Sequence, residues 1–169
     1  MIYELTVPQF IKTLKNLNTI LDKAAGFADS KKIEMDVLLN SRLAPDMLPF
    51  TRQIQITCDT AKLGASRLTG KSAPVQEDNE KTLSEVKARI ESTITYLKSM
   101  NVEDYKNAAT ASITTPRWEG KTLTGEQYAV HHVIPNFYFH VTTAYAILRH
   151  NGVDIGKKDF LGELPYKLP

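Results

Sequence analysis

Apolar residues along this chain fall into four stripes at three- and four-residue steps, separated by polar segments rich in proline or glycine. The first stripe is Val7, Phe10, Ile11, Leu14, Leu17, Leu21, Ala24, Ala25 and Ala28, one face of a helix of about six turns. Its start is expected at Thr6, where TVPQ has the spacing of a capping box with proline in the first turn. Residues 29–40 read as a connector, with a helical turn in IEMDVLLN. The second stripe is Met47, Phe50, Ile54, Cys58, Ala61, Ala65 and Leu68. It is expected on a helix opening near Arg42, bent by Pro45 and Pro49, and stopped by Gly70. Ile56 and Leu63 fall off that stripe, either facing a partner subunit or as scattered surface residues. After a polar surface loop over 71–81, Thr82 opens a third helix through TLSE. Its apolar face is Leu83, Val86, Ile90, Ile94, Leu97 and Met100, and its charges are expected on the outer side.

The fourth stripe belongs to the stretch around which the others are organised. Thr124-Gly-Glu-Gln127 is a further capping box, and Arg149, His150 and Gly152 form the matching stop. Val130, Val133, Ile134, Phe137, Val141, Ala144 and Leu148 lie between them on one face. Pro135 cannot donate to the carbonyl of His131, so a kink is expected there. The preceding segment, residues 112–123, is β-prone with a turn near Glu119 and Gly120, which suits a short hairpin or an extended crossing. The tail from Gly152 to Pro169 reads as extended and apolar enough to lie on the bundle or a neighbour. These patterns define an all-α fold, a four-helix bundle with a short β-prone segment before the last helix, in one domain over 1–169.

Composition narrows the function classes. A formal charge of +2 offers no electrostatic footprint for nucleic acid or membrane, and no window approaches the length of a membrane span. The single cysteine, Cys58, excludes an internal disulfide and falls on the core face as a small hydrophobe. With no basic n-region or apolar h-region at the N-terminus, a cytoplasmic protein is expected. Phosphate loops, nucleophile elbows and paired-cysteine motifs do not occur.

RLAPDM at 42–47 and PNFYFHVTTAYAILRHNGVDIGKKDFLG at 135–162 resemble the signature of an uncharacterised bacterial family grouped with the DinB/YfiT-like helical bundles. That resemblance implies a four-helix bundle, often dimeric, in a superfamily grouped as metalloenzymes. Its metal-binding members take one histidine from the second helix and two, four residues apart, from the last. Aligned on LRHNG, His140 falls near the second of that pair, and Asn136 stands where the first would be. The strong ligand type near the start of the second helix is Asp46. The implied triad is therefore Asp46, Asn136 and His140. An asparagine amide is a weak zinc ligand, so no cofactor is expected beyond a weakly held divalent ion.

The residues alone place His140 about 60° from the centre of the last helix's apolar face, at the core border, with Asn136 on the same edge. His140 there is either a structural hydrogen-bonder or, with the ordinary imidazole pKa near neutrality, the best general base the chain offers. Adjacent His131 and His132 diverge on a helix and cannot share one ion. Trp118, Tyr138 and Tyr145 either line a pocket or pack at bundle ends, and Arg42 with Asp46 either turns inward on a polar ligand or forms a surface pair. Two readings follow. One is a small-ligand-binding or non-catalytic homodimeric module with a polar cavity at Asp46, Asn136 and His140, bounded by Arg42, Trp118 and Tyr145. The other is a divergent metal-dependent transferase or hydrolase using Asp46 and His140.

Overall fold

The computed structural model describes residues 1–167. Four long helices form the bundle: α1 (Ile2–Lys31), α3 (Phe50–Thr69), α4 (Leu83–Lys98) and α6 (Ile134–His150). The short helices α2 (Met35–Asn40), α5 (Gly125–Tyr128) and α7 (Lys157–Leu161) complete it. Helix α3 packs between α6 and α4, and α1 lies along α4. The predicted stripes meet in one core, where Phe10 stacks on Phe137 at 4.0 Å between ring centroids. Cys58 is fully buried there, and burial pushes its thiol up to about 12, which leaves it unreactive at neutral pH.

Helix boundaries differ from the sequence expectation where packing overrides local signals. α1 starts at Ile2 rather than Thr6, so Pro8 lies inside the helix and the Thr6 hydroxyl donates to the Ile2 carbonyl at 2.7 Å. Ile2 and Tyr3 pack on the core, and that burial outweighs the backbone bond lost at the proline. The second long helix does not open near Arg42. Pro45 and Pro49 disfavour helical backbone at the residues before them, and α3 begins only at Phe50 with Pro49 as its N-cap. Arg89 on α4 is likewise buried, at 3% exposure, rather than on the outer side.

Other signals carry through unchanged. Thr82 and Thr124 both close capping boxes, and Gly70 and Gly152 take φ of 75° and 96° at the helix stops. Strands β1 (Ser112–Ile113) and β2 (Leu123–Thr124) pair antiparallel, Ser112 opposite Thr124, with Pro116–Trp118 and the Glu119-Gly120 turn at the tip. The tail is not wholly extended. Gly156 donates its N–H to the Asp159 carboxylate, α7 forms on α1, and the Phe160 carbonyl accepts from Asn16 at 3.0 Å. Leu168 and Pro169, the end of the expected tail, lie outside the described residues.

The proline in the last helical stretch has a distinct consequence. Residues Ala129–Val133 wind as a π-helix, with the Ile134 N–H reaching back five residues to Ala129. One extra residue per turn rotates everything upstream by about 100° relative to a regular helix. Val130 is therefore 51% exposed instead of joining the core stripe, and Ala129 and Val133 are buried.

Candidate functional site

Along one edge of the α3–α6 interface the packing turns polar. Gln53, Thr60 and Arg67 recur at seven-residue steps, which keeps them on one face of α3 within about 20° per step. Opposite them, running antiparallel, are His140, Asn136 and, about two turns before the proline, Tyr128. His140 Nδ1 lies 2.7 Å from Gln53 Oε1, Asn136 Nδ2 donates to Thr60 Oγ1 at 2.7 Å, and Arg67 Nη1 donates to Tyr128 Oη at 2.9 Å. Buried and half-buried polar groups are thus paired rung by rung.

The first rung fixes the chemistry of His140. Gln53 Nε2 donates to the Leu48 carbonyl at 3.0 Å, so its Oε1 must be the atom facing the ring. Nδ1 then carries the proton, and Nε2 is left with a lone pair that has no hydrogen-bond partner among the described residues. Burial lowers the His140 pKa, so this neutral tautomer prevails at neutral pH. His132 is lowered too, first by burial and then by the neighbouring Arg67 charge.

Beside this seam opens a cleft of about 730 Å³. Its apolar floor includes Ile56 and Leu63, the residues left off the core stripe of α3. His140, Asn136 and Arg52 line it together. At one end the hairpin brings in Arg117 and Trp118, whose indole meets the rings of Tyr128 and His132 edge-on at 5.9 and 5.7 Å. Tyr128 and His132 stack on each other at 5.4 Å. A cleft of this size with a mixed lining can enclose a small organic molecule.

Of the residues expected to surround a cavity, the structure brings together Trp118, Asn136 and His140 in this cleft. The other three lie elsewhere. Asp46 is exposed in the turn before α3, and Arg42 is exposed with its guanidinium on the Met47 carbonyl. Tyr145 points towards the tail, donating to the Ile155 carbonyl at 3.4 Å and packing edge-on against Phe160. The late start of α3 is the cause: it puts Gln53, not Asp46, across from His140.

The donor set can be weighed against the metal that the fold family implies. His140 Nε2 is the one strong ligand atom on the seam, since Asn136 uses its amide as a donor to Thr60 and Gln53 Oε1 is taken by His140. The cleft carboxylates, Asp59 and Asp78, are held by Arg89 at 2.8 and 3.0 Å. Among the described residues no group of three or more His, Cys, Asp or Glu side chains converges on one point. This arrangement does not fit a three-ligand zinc centre.

Sequence reasoning missed Gln53, Thr60, Arg67, Tyr128 and His132. The heptad spacing of the first three was a usable signal. His132 was obscured by the π turn: regular geometry carries it about 80° round from His140, and the wider winding brings it back.

The low His140 and His132 pKa values have a consequence for stability. In the unfolded chain both imidazoles take up a proton near the ordinary value of about 6.5, before they do in the fold. Unfolded protein therefore binds more protons below that pH, and stability falls as pH drops from about 6.5 to the lower folded values. Urea unfolding midpoints measured between pH 7.5 and 5 are expected to show this decline, and H140Q is expected to flatten it. An equal slope in wild type and H140Q would rule the assignment out.

No described helix is long and apolar enough to cross a membrane. A family model described as a domain of unknown function, DUF1993, matches residues 2–161. No curated protein matches the chain. A solved crystal structure of a DinB family member protein from Shewanella denitrificans is 60% identical, covers 100% of this chain and 96% of its own, and superposes with a TM-score of 0.98. The polar seam and its cleft are therefore carried on a bundle of known kinship, and the chain belongs to the DUF1993 family of DinB-like proteins.

Proposed function

We propose that this protein binds a small organic molecule in the α3–α6 cleft and does so without a resident metal. The observation that carries the reading is the His140 rung: Gln53 holds the ring as a neutral Nδ1–H tautomer and leaves Nε2 free as an acceptor on the cleft wall. Asn136 is oriented by Thr60 in the same way. Such pre-paired side chains are set before a ligand arrives, which lowers the ordering cost of binding. Asp46 has no part in this version of the cavity.

Ring-labelled histidine spectra recorded against a fragment library test it. Binders are expected to shift both His132 and His140 and to leave His131, in the π turn, and His150, at the end of α6, both exposed, unmoved. H140A is expected to weaken those binders and D46A to leave them unchanged. A library that moves neither cleft histidine would overturn the proposal. Metal analysis of protein purified without an affinity tag checks the rival reading. Stoichiometric metal that disappears in H140A would favour a metal-dependent transferase or hydrolase instead.

A further inference from the structure

Charge in the cleft is distributed unevenly. Three arginines line it, Arg52, Arg67 and Arg117, along with two carboxylates, Asp59 and Asp78. Both carboxylates are already committed. Asp78 pairs with Arg52 at 2.5 Å and Arg89 at 3.0 Å, and Asp59 pairs with Arg89 at 2.8 Å and Lys62 at 3.2 Å. At the hairpin end no carboxylate among the described residues pairs with the arginines. Among the described residues Arg67 has a neutral partner alone, the Tyr128 hydroxyl, and Arg117 has neither a hydrogen bond nor an ion pair. The Arg67 charge is also among the causes that depress His132, as a locally positive field requires.

The aromatic wall adjoins both arginines: Arg67 bonds the Tyr128 hydroxyl, and Arg117 precedes Trp118 in the hairpin. Trp118 is half-buried, held edge-on by Tyr128 and His132, with part of its surface on the cleft. A guanidinium fork matches the two oxygens of a carboxylate, and an indole surface favours a flat apolar body over a hydrated one. Resting on the reading of the cleft as a ligand site, we infer that its hairpin end selects a small carboxylate with a flat apolar body, the anion held by Arg67 and Arg117 and the body lying against Trp118. A bare inorganic anion lacks the second half of this recognition, and a neutral ring lacks the first.

Trp118 is the single tryptophan of the chain, so its indole N–H reports on this end of the cleft alone. Benzoate, its neutral analogue benzamide, and inorganic phosphate are titrated while that signal is followed. Benzoate is expected to move it and to bind at least about tenfold tighter than benzamide, the worth of one charge-assisted contact. R67M should weaken benzoate by about tenfold and R117Q by about threefold, the second being an exposed side chain whose loss leaves folding unaffected. Phosphate is expected to bind more weakly than benzoate. Equal affinity for benzamide and benzoate, tighter binding of phosphate than of benzoate, or an undiminished benzoate affinity in both arginine variants would each overturn the inference while leaving the cleft a ligand site. If neither ring compound moves the indole and the histidines are also silent, the cleft reading falls with it.

Discussion

Arg89→Ala is expected to destabilise the fold by about 3–5 kcal/mol, the cost of breaking a buried ion pair from one side. Its side chain is 1% exposed, and the guanidinium gathers three acids: Asp59, Asp78 and Glu80, the last at 2.9 Å. It also donates to the Glu77 carbonyl at 3.2 Å. Three of these contacts come from the loop between α3 and α4, so one residue of α4 ties that loop down. Gln55 supports it by donating to the other oxygen of Glu80 at 2.7 Å. Without the guanidinium, Glu80, whose side chain is 9% exposed, keeps its charge in a site that no longer compensates it. The loop should then open to proteases, and the Asp78 wall of the cleft should be lost with it.

R89K keeps the charge but not the fork, and an intermediate loss is expected because a single ammonium cannot reach all the acids. Denaturant unfolding measures both variants. A loss below about 0.5 kcal/mol in Arg89→Ala, within the range of an ordinary surface substitution, would remove Arg89 from its role. Acid sensitivity should follow the same residues. Burial by itself would raise the carboxyls of Asp78 and Glu80, but their arginine hydrogen bonds outweigh it and hold both below the usual carboxylate range. Their contribution is complete above the unfolded values of about 4 and is lost as pH falls through the folded ones.

Gly125→Ala is the second large effect. A Cβ at this position would lie 1.7 Å from the Ala108 carbonyl oxygen and 3.2 Å from Leu68 Cδ2. The first of these neighbours is backbone, so no rotamer change relieves the overlap. The Gly125 N–H meanwhile donates to the Ala111 carbonyl at 2.8 Å, which fixes the approach from the other side. The chain must part where the hairpin joins the last helical stretch, at a cost of about 3 kcal/mol or more, the upper end of overpacking. For a domain of this size that corresponds to a melting temperature lower by roughly 6–12 °C. Trp118 fluorescence should change in the folded variant as well, because the hairpin that carries the indole is displaced. An unchanged melting temperature would show that this close approach is not obligatory.

The two variants reach the same cleft from opposite ends, and neither residue was visible as important in the chain. Arg89 looked like one more charge on the outer side of an amphipathic helix. Gly125 looked like the first residue after a capping threonine. Both depend on which segment lies across from them, and helical periodicity contains no information on that. The reverse holds for Thr82, Thr124, Gly70 and Gly152. Each acts through backbone groups within a few residues, so local spacing was enough to place it.

What the sequence determined by itself is the four long helices and most of their buried faces. Apolar side chains at helical spacing have one low-energy arrangement, with the stripes turned together away from water. What only the tertiary structure decided is the site. The prolines delayed α3 until Phe50, the π turn rotated the start of the last helical stretch, and together they set Gln53 opposite His140 and turned His132 into the cleft. Apolar periodicity leaves such one-residue shifts in register unspecified, while a hydrogen bond of 2.7 Å depends on them. The pairing of polar side chains across two helices therefore had to wait for the packed molecule.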